Sequence, residues 1–246
     1  MKENRAAPSL PALRRELRRG ANKTRAAAAR RFFKTDPGEY GEGDLFLGLT
    51  VPQVRAAAAR HAGLGLSGIK TLLFSPYHEE RLAALLVLAA GFAAGNAFRR
   101  RQIFNLYLKH SRRINNWDLV DLSAPRIAGA YLWDRSRRPL RRLARSPSLW
   151  ERRIAVVATH YFISRGEFDD TLEIAAMLLG DLEDLIHKAC GWMLREVGKR
   201  DVRSLEGFLA LHACRMPRTM LRYAIERFPE KKRKALLRAS RCRRSS

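Results

Sequence analysis

The sequence predicts an all-α fold, an α-solenoid of stacked antiparallel helix pairs with a basic concave surface. Three observations carry that prediction. Nearly every segment repeats apolar residues at helical spacing, and no run alternates convincingly with the period of two that marks a half-buried strand. The breaks between segments are short and made of turn residues, among them "GLGLSG", "FSP", "SPS", "GDLED", "MPRT" and "FPE". Helices joined by short turns become antiparallel neighbours. A dozen or more cannot share one bundle core, so they stack, each pair burying its face on the next.

The elements follow in order. Helices are expected over 10–19 and 22–34, then, after the break "DPGEYGEGD", over 52–63 and 66–74. Ser75-Pro76 places a cap residue before a first-turn proline and starts a helix over 76–94. That helix contains "LAALLVLAAGFAAG", residues 82–95, the most apolar run of the chain. Fourteen residues are too few to span a bilayer, so the run reads as a buried core helix. A helix over 95–110 follows, and then one over 116–132 capped by Asn115 or Asn116 and kinked or tightened at Pro125. After a short helix over 137–145, Ser146-Pro147 opens 147–164, and 166–179 comes next. Asp181, with Asp184 three residues on, caps 181–199; the last helices are 201–214, 216–228 and 230–240. The pairs 147–179, 181–214 and 216–240 recur near the 40-residue period of helical repeats. The chain therefore reads as one repeat domain over 1–246, with loose tails at about 1–9 and 241–246.

Charge points to a partner. The chain has 48 Lys+Arg against 24 Asp+Glu, a formal net charge of +24. Such an excess speaks for polyanions, nucleic acid before an anionic membrane surface. The bases cluster: six Arg lie in the eleven residues 135–145, eight bases in the eighteen residues 14–31 and eight in the fourteen residues 231–244. One such run is usually a solvated face; several without balancing acids fit phosphate-backbone contact. The N-terminus lacks the apolar stretch of a signal peptide, and Cys190, Cys214 and Cys242 form no C-x-x-C pair. Six single histidines give no metal-ligand spacing. These features predict a cytoplasmic, nucleoid-associated protein with no metal, no cofactor and no membrane partner; a monomer is the default expectation.

Three helices carry unusual groups beside their apolar stripes. On 116–132, Leu119, Val120, Leu122, Ile127 and Ala130 gather on one side, while Trp117 and Asp121, one turn apart, project from the other. On 181–199, Ile186, Ala189, Cys190, Met193 and Val197 form the stripe. Trp192 sits at its edge, with Lys188 and Arg195 further round. On 147–164, Arg153 flanks the stripe of Ile154, Ala158 and Tyr161, with Arg152 beside it. A lone tryptophan at a stripe edge more often packs against a neighbouring helix than serves a ligand, and periodicity does not show that these groups converge.

The stretches "FFKTDPGEYGEGDLFLGLTVPQVR", "NNWDLVDLSAP", "LWERRIAVV" and "IHKACGWMLREVGKRD" closely resemble the AlkD-type DNA alkylation repair glycosylases, over about residues 10 to 240. The resemblance implies HEAT-like helical repeats curved around duplex DNA and excision of cationic N3- and N7-alkylated purines, without deep flipping of the base. It implies a site of two tryptophans, an aspartate and an arginine, which match Trp117, Trp192, Asp121 and Arg153, with the adjacent Arg152 as the alternative arginine; Lys188, on the Trp192 flank, is a further candidate for phosphate contact. The residue types suit that chemistry. An alkylated purine is a cation with a weakened glycosidic bond, and its sugar becomes oxocarbenium-like as the bond breaks. A carboxylate stabilises that charge and orients water, and tryptophan faces attract cations. Two other readings are a non-catalytic binder of DNA structure and a repeat scaffold for RNA or ribosome contact. Neither is expected to release a base.

Overall fold

The computed structural model describes residues 8–240. Among the described residues there are helices and no strand, with one isolated bridge between Leu45 and Tyr77. The protein is an all-α helical repeat fold. It divides into two compact units, Met1–Ile127 and Ala128–Ser246.

The first unit holds α1 (Leu10–Arg19), α2 (Lys23–Phe32), α3 (Val51–Arg60), α4 (Leu66–Leu73), α5 (His78–Ala94), α6 (Ala97–Lys109) and α7 (Trp117–Ala124). Helix α5 is its centre and packs against α1, α3, α4, α6 and α7. The run 82–95 is thus the core helix expected from its composition, with Leu82 to Ala89 buried throughout. Less expected is the first turn of α5, where His78, Glu79, Glu80 and Arg81 are all buried. Four charged side chains leave water at a large cost unless each is paired. Each is. Glu79 accepts the backbone N–H groups of Leu47, Gly48 and Leu49 at 2.9, 2.7 and 3.2 Å. Glu80 takes Arg14 Nε at 2.9 Å, and Arg81 reaches Asp44 at 2.6 Å and the Ser75 carbonyl at 2.8 Å. Gly48 is obligatory in this arrangement: its φ is +82°, and a Cβ there would lie 2.2 Å from the Asn22 carbonyl oxygen.

The second unit holds α8 (Ala130–Leu132), α9 (Arg138–Leu143), α10 (Leu149–Ala158), α11 (His160–Ile163), α12 (Asp169–Met177), α13 (Asp184–Arg200), α14 (Val202–His212), α15 (Arg218–Ala224) and α16 (Glu230–Ala239). Helix α13 is the hub, packed on α10, α11, α12, α14 and α15. Its stripe Ile186, Ala189, Cys190, Met193 and Val197 is fully buried. Gly191 lets α15 come close, since a Cβ there would lie 2.6 Å from the Met220 carbonyl oxygen.

The helix starts differ from the sequence reading, and tertiary contacts explain it. Helix α5 begins at His78 rather than 76, because Leu45 takes the Pro76 carbonyl at 3.0 Å and offers its own to the His78 N–H at 2.8 Å. Ser75 Oγ accepts from Tyr77 N instead of capping the helix. Helix α10 likewise starts at Leu149: the Ser146 and Pro147 carbonyls bond Arg152, and Ser146 Oγ accepts from Ser148 N. Asp181 does not cap α13; Glu183 stands at that position, and Asp181 pairs with Arg152. The proline expected to disturb 116–132 ends α7, and a π-helical turn spans Pro125–Gly129. The expected tails lie mostly outside the described residues, as do Cys242 and the end of the 231–244 run; Ser9 lies inside, and its Oγ caps α1.

Candidate functional site

In the first unit the candidate site is built on α7. Asn116 holds its start, the side-chain oxygen accepting from Trp117 N at 2.8 Å. Asp118 follows in the first turn, where the helix dipole favours an acid, and its Oδ1 accepts from Leu119 N at 2.8 Å. Leu119, Val120 and Ile127 are fully buried, whereas Trp117 and Asp121 are half-buried on the other side, as the periodicity predicted. Leu122 and Ala130, assigned to the stripe, are only half-buried.

The Trp117 indole does not stand alone. It stacks on Phe33, with ring centroids 5.4 Å apart and 24° between planes, and meets Phe32 edge-on at 5.8 Å. Phe33 stacks in turn on Phe46 at 5.2 Å. Both phenylalanines contact the His78 ring, at 4.8 and 4.9 Å. Phe32 is 64% exposed beside Trp117. Below Asp121 lies Tyr107, fully buried, with its hydroxyl 2.9 Å from Ser123 Oγ. Burial, together with the Asp121 charge, pushes the Tyr107 phenol far above its ordinary range.

In the second unit the candidates lie on α10 and α13, which pack on each other. Arg153 was expected on a flank but is 5% exposed, with Nη1 donating to the Leu185 carbonyl at 2.5 Å. Arg152 clamps two loops: Nε and Nη2 bond the Asp181 carboxylate at 2.6 and 3.3 Å, and Nη1 bonds the Ser146 and Pro147 carbonyls. Trp192 is half-buried at the edge of the α13 stripe, 6.0 Å from the His160 ring. Burial, with Arg200 and Lys199 nearby, outweighs Glu196 and holds His160 below the usual histidine range. Lys188 pairs with Asp184 one turn earlier, at 2.7 Å on the surface.

The sequence reading missed Phe32, Phe33, Phe46 and His78. The first three border or belong to an irregular segment, where no periodicity marks a functional face. His78 read only as a scattered histidine. The one available signal was "FF" followed by a third phenylalanine in an acidic, glycine-rich stretch.

Among the described residues no group of three or more His, Cys, Asp or Glu could hold a metal ion, and no helix is long and apolar enough to cross a membrane. No curated protein matches the sequence. A solved structure from Enterococcus faecalis, described as a predicted DNA alkylation repair enzyme, is similar to this chain with a TM-score of 0.65 and 14% identity. It covers 85% of this chain and 97% of that one, and at such identity the likeness shows the fold. The sequence pattern of one family matches residues 13–228, most of the chain, and by that match the protein belongs to the DNA alkylation repair enzyme family.

Proposed function

We propose that the protein is a monofunctional DNA glycosylase that hydrolyses the N-glycosidic bond of cationic N3- and N7-alkylated purines in duplex DNA, without deep base flipping. The observation that carries this reading is the pairing on α7: a carboxylate and a tryptophan one turn apart, both half-exposed, in a family of DNA alkylation repair enzymes. Asp121 stabilises the oxocarbenium-like sugar and orients the attacking water. Trp117 offers a π face, held in place by Phe33. Trp192 contributes a second indole, and Arg153 a guanidinium for a phosphate near the lesion. Both arginines are engaged within the fold, Arg152 by Asp181 and two carbonyls and Arg153 by the Leu185 carbonyl, so whichever meets the phosphate exchanges a partner to do so. Lys188 is well suited to a backbone phosphate. Its surface pair with Asp184 is worth only about 0.3–0.5 kcal/mol and yields readily. Residues 1–246 act as one functional domain, as a monomer associated with the nucleoid, with no metal or cofactor.

The test is release of free base from methylated duplex DNA, followed by chromatography. Time-dependent release of 7-methylguanine and 3-methyladenine is expected. Binding without release at any protein concentration would instead favour a structure-specific DNA binder. Affinity for undamaged duplex is expected to fall steeply with salt, with a log–log slope of about −0.9 per phosphate contacted. A slope near zero in a salt titration by fluorescence anisotropy would reject the basic binding surface.

Trp192→Ala separates a lesion contact from a packing residue. Because Trp192 is half-buried, its truncation is expected to cost well under the about 3–5 kcal/mol of a fully buried aromatic. Single-turnover excision falls roughly 2- to 30-fold, the equivalent of one cation–π contact. A large drop in melting temperature with unchanged excision by the folded fraction would place Trp192 in the core.

A further inference from the structure

We propose that His78 is a positioning residue for base release: its imidazolium, held between Asp118 and Asp44 beneath the stacked rings of Phe46, Phe33 and Trp117, fixes Trp117 and the Asp121-bearing helix in their working geometry. This rests on the glycosylase reading for its catalytic consequence, but not for its structural one.

The geometry specifies a charged ring. His78 is 2% exposed, with Nε2 2.8 Å from Asp118 Oδ2 and Nδ1 3.5 Å from Asp44 Oδ2. Both ring nitrogens face carboxylate oxygens, which only accept. A neutral imidazole has one donor and would turn a lone pair toward one of them; the doubly protonated ring satisfies both. The charged groups facing the ring are Asp118 from α7, Asp44 from the segment before α3, and Arg81 from its own helix. The other neighbours are the neutral rings of Phe33 and Phe46. Burial opposes the charge, but the Asp118 and Asp44 bonds win and raise His78 to about 8. Asp44 is in turn held by Arg81 and by Asn115 Nδ2 at 3.3 Å.

Two links run from this ring to the candidate site. Asp118 holds the first turn of α7 through Leu119 N, and Asp121 lies one turn on. Phe33 lies against His78 on one contact and against Trp117 on another. Loss of the proton therefore loosens the start of α7 and the support of the Trp117 ring together. The folded pKa lies above the unfolded value of 6.5. The stabilising contribution is complete below about 6.5 and disappears as pH rises through about 8.

The experiment has an activity arm and a structural arm on the full chain. In single-turnover excision corrected for spontaneous release, the wild-type rate is expected to fall as pH rises through about 8. His78→Gln keeps one donor and carries no charge. It is expected to lose that limb and to release base more slowly than wild type at every pH below about 8. Asp44→Asn removes one of the two carboxylates and moves the limb to lower pH. In the structural arm, the Trp117 indole N–H resonance, assigned by its loss in Trp117→Phe, shifts with pH in step with the His78 imidazole and is pH-independent in His78→Gln. A limb near 8 that persists in His78→Gln and does not move in Asp44→Asn overturns the proposal, as does a Trp117 resonance blind to His78. A wild-type protein that releases no base, yet whose Trp117 resonance follows His78, overturns the glycosylase reading and supports the positioning role.

Discussion

Asp121→Asn is expected to lower single-turnover base release by roughly 10²–10³-fold, the loss that follows removal of one group aimed at developing transition-state charge. The substitution keeps the size and nearly the shape of the side chain and removes only its charge. An oxocarbenium-like sugar gains its positive charge during the reaction, so a nearby carboxylate lowers the transition state more than the ground state. Duplex affinity is expected to change little, because the phosphates are met by cations and not by this acid. Stability is expected to hold as well. Asp121 is half-exposed, and an amide of the same size keeps its place in the packing. Quenched-flow excision, anisotropy and thermal melting on the same mutant give the three readings. A rate within a few-fold of wild type, with binding intact, removes Asp121 from the chemistry.

Much of this architecture was legible in the chain. Period and turn residues placed most helices to within a few residues, because many of them bury one stripe; α13, whose stripe of Ile186, Ala189, Cys190, Met193 and Val197 is fully buried, is the plainest case. Trp117, Asp121 and Trp192 were legible for the complementary reason, as large or charged groups beside such stripes. What stayed hidden depends on contacts distant in sequence. Helix α5 starts late because Leu45, more than thirty residues earlier, captures the Pro76 carbonyl. Its charged first turn is buried only because Arg14, Asp44, the 47–49 backbone and Asp118 come to meet it. The pattern of "HEER" reads as a polar helix start facing water, and nothing local says otherwise. The aromatic support of Trp117 was hidden in the same way, since Phe33 and Phe46 belong to a segment without period. Arg153, read as a flank residue, is inside because the Leu185 carbonyl gives it a partner there.

Lesion charge is expected to decide which bases leave. Duplexes carrying N3- or N7-alkylpurines should lose the base, while uracil and 1,N6-ethenoadenine should be released more slowly by roughly 10²–10⁴-fold, the usual contribution of a general acid. A cationic base departs neutral and needs no proton, whereas a neutral base departs as an anion unless an acid serves it. The groups around the candidate residues are poor acids in this role. His78 carries a proton at pH 7 but is buried, with both nitrogens facing carboxylates and a ring covered by Phe33 and Phe46. Tyr107 is buried and bonded to Ser123, its phenol pushed far up in pKa. His160, beside Trp192, is held below its ordinary pKa by burial and by Arg200 and Lys199, which disfavours the protonated form that an acid needs. Glu196 is drawn below the usual carboxylate range because Lys199 and Arg195 outweigh its burial. Parallel single-turnover assays on duplexes of one sequence, differing only in the lesion, isolate the effect from binding. Uracil release at a rate near that of 7-methylguanine would mean that an acid acts at the site, and would sink the account in which the substrate's own charge replaces it.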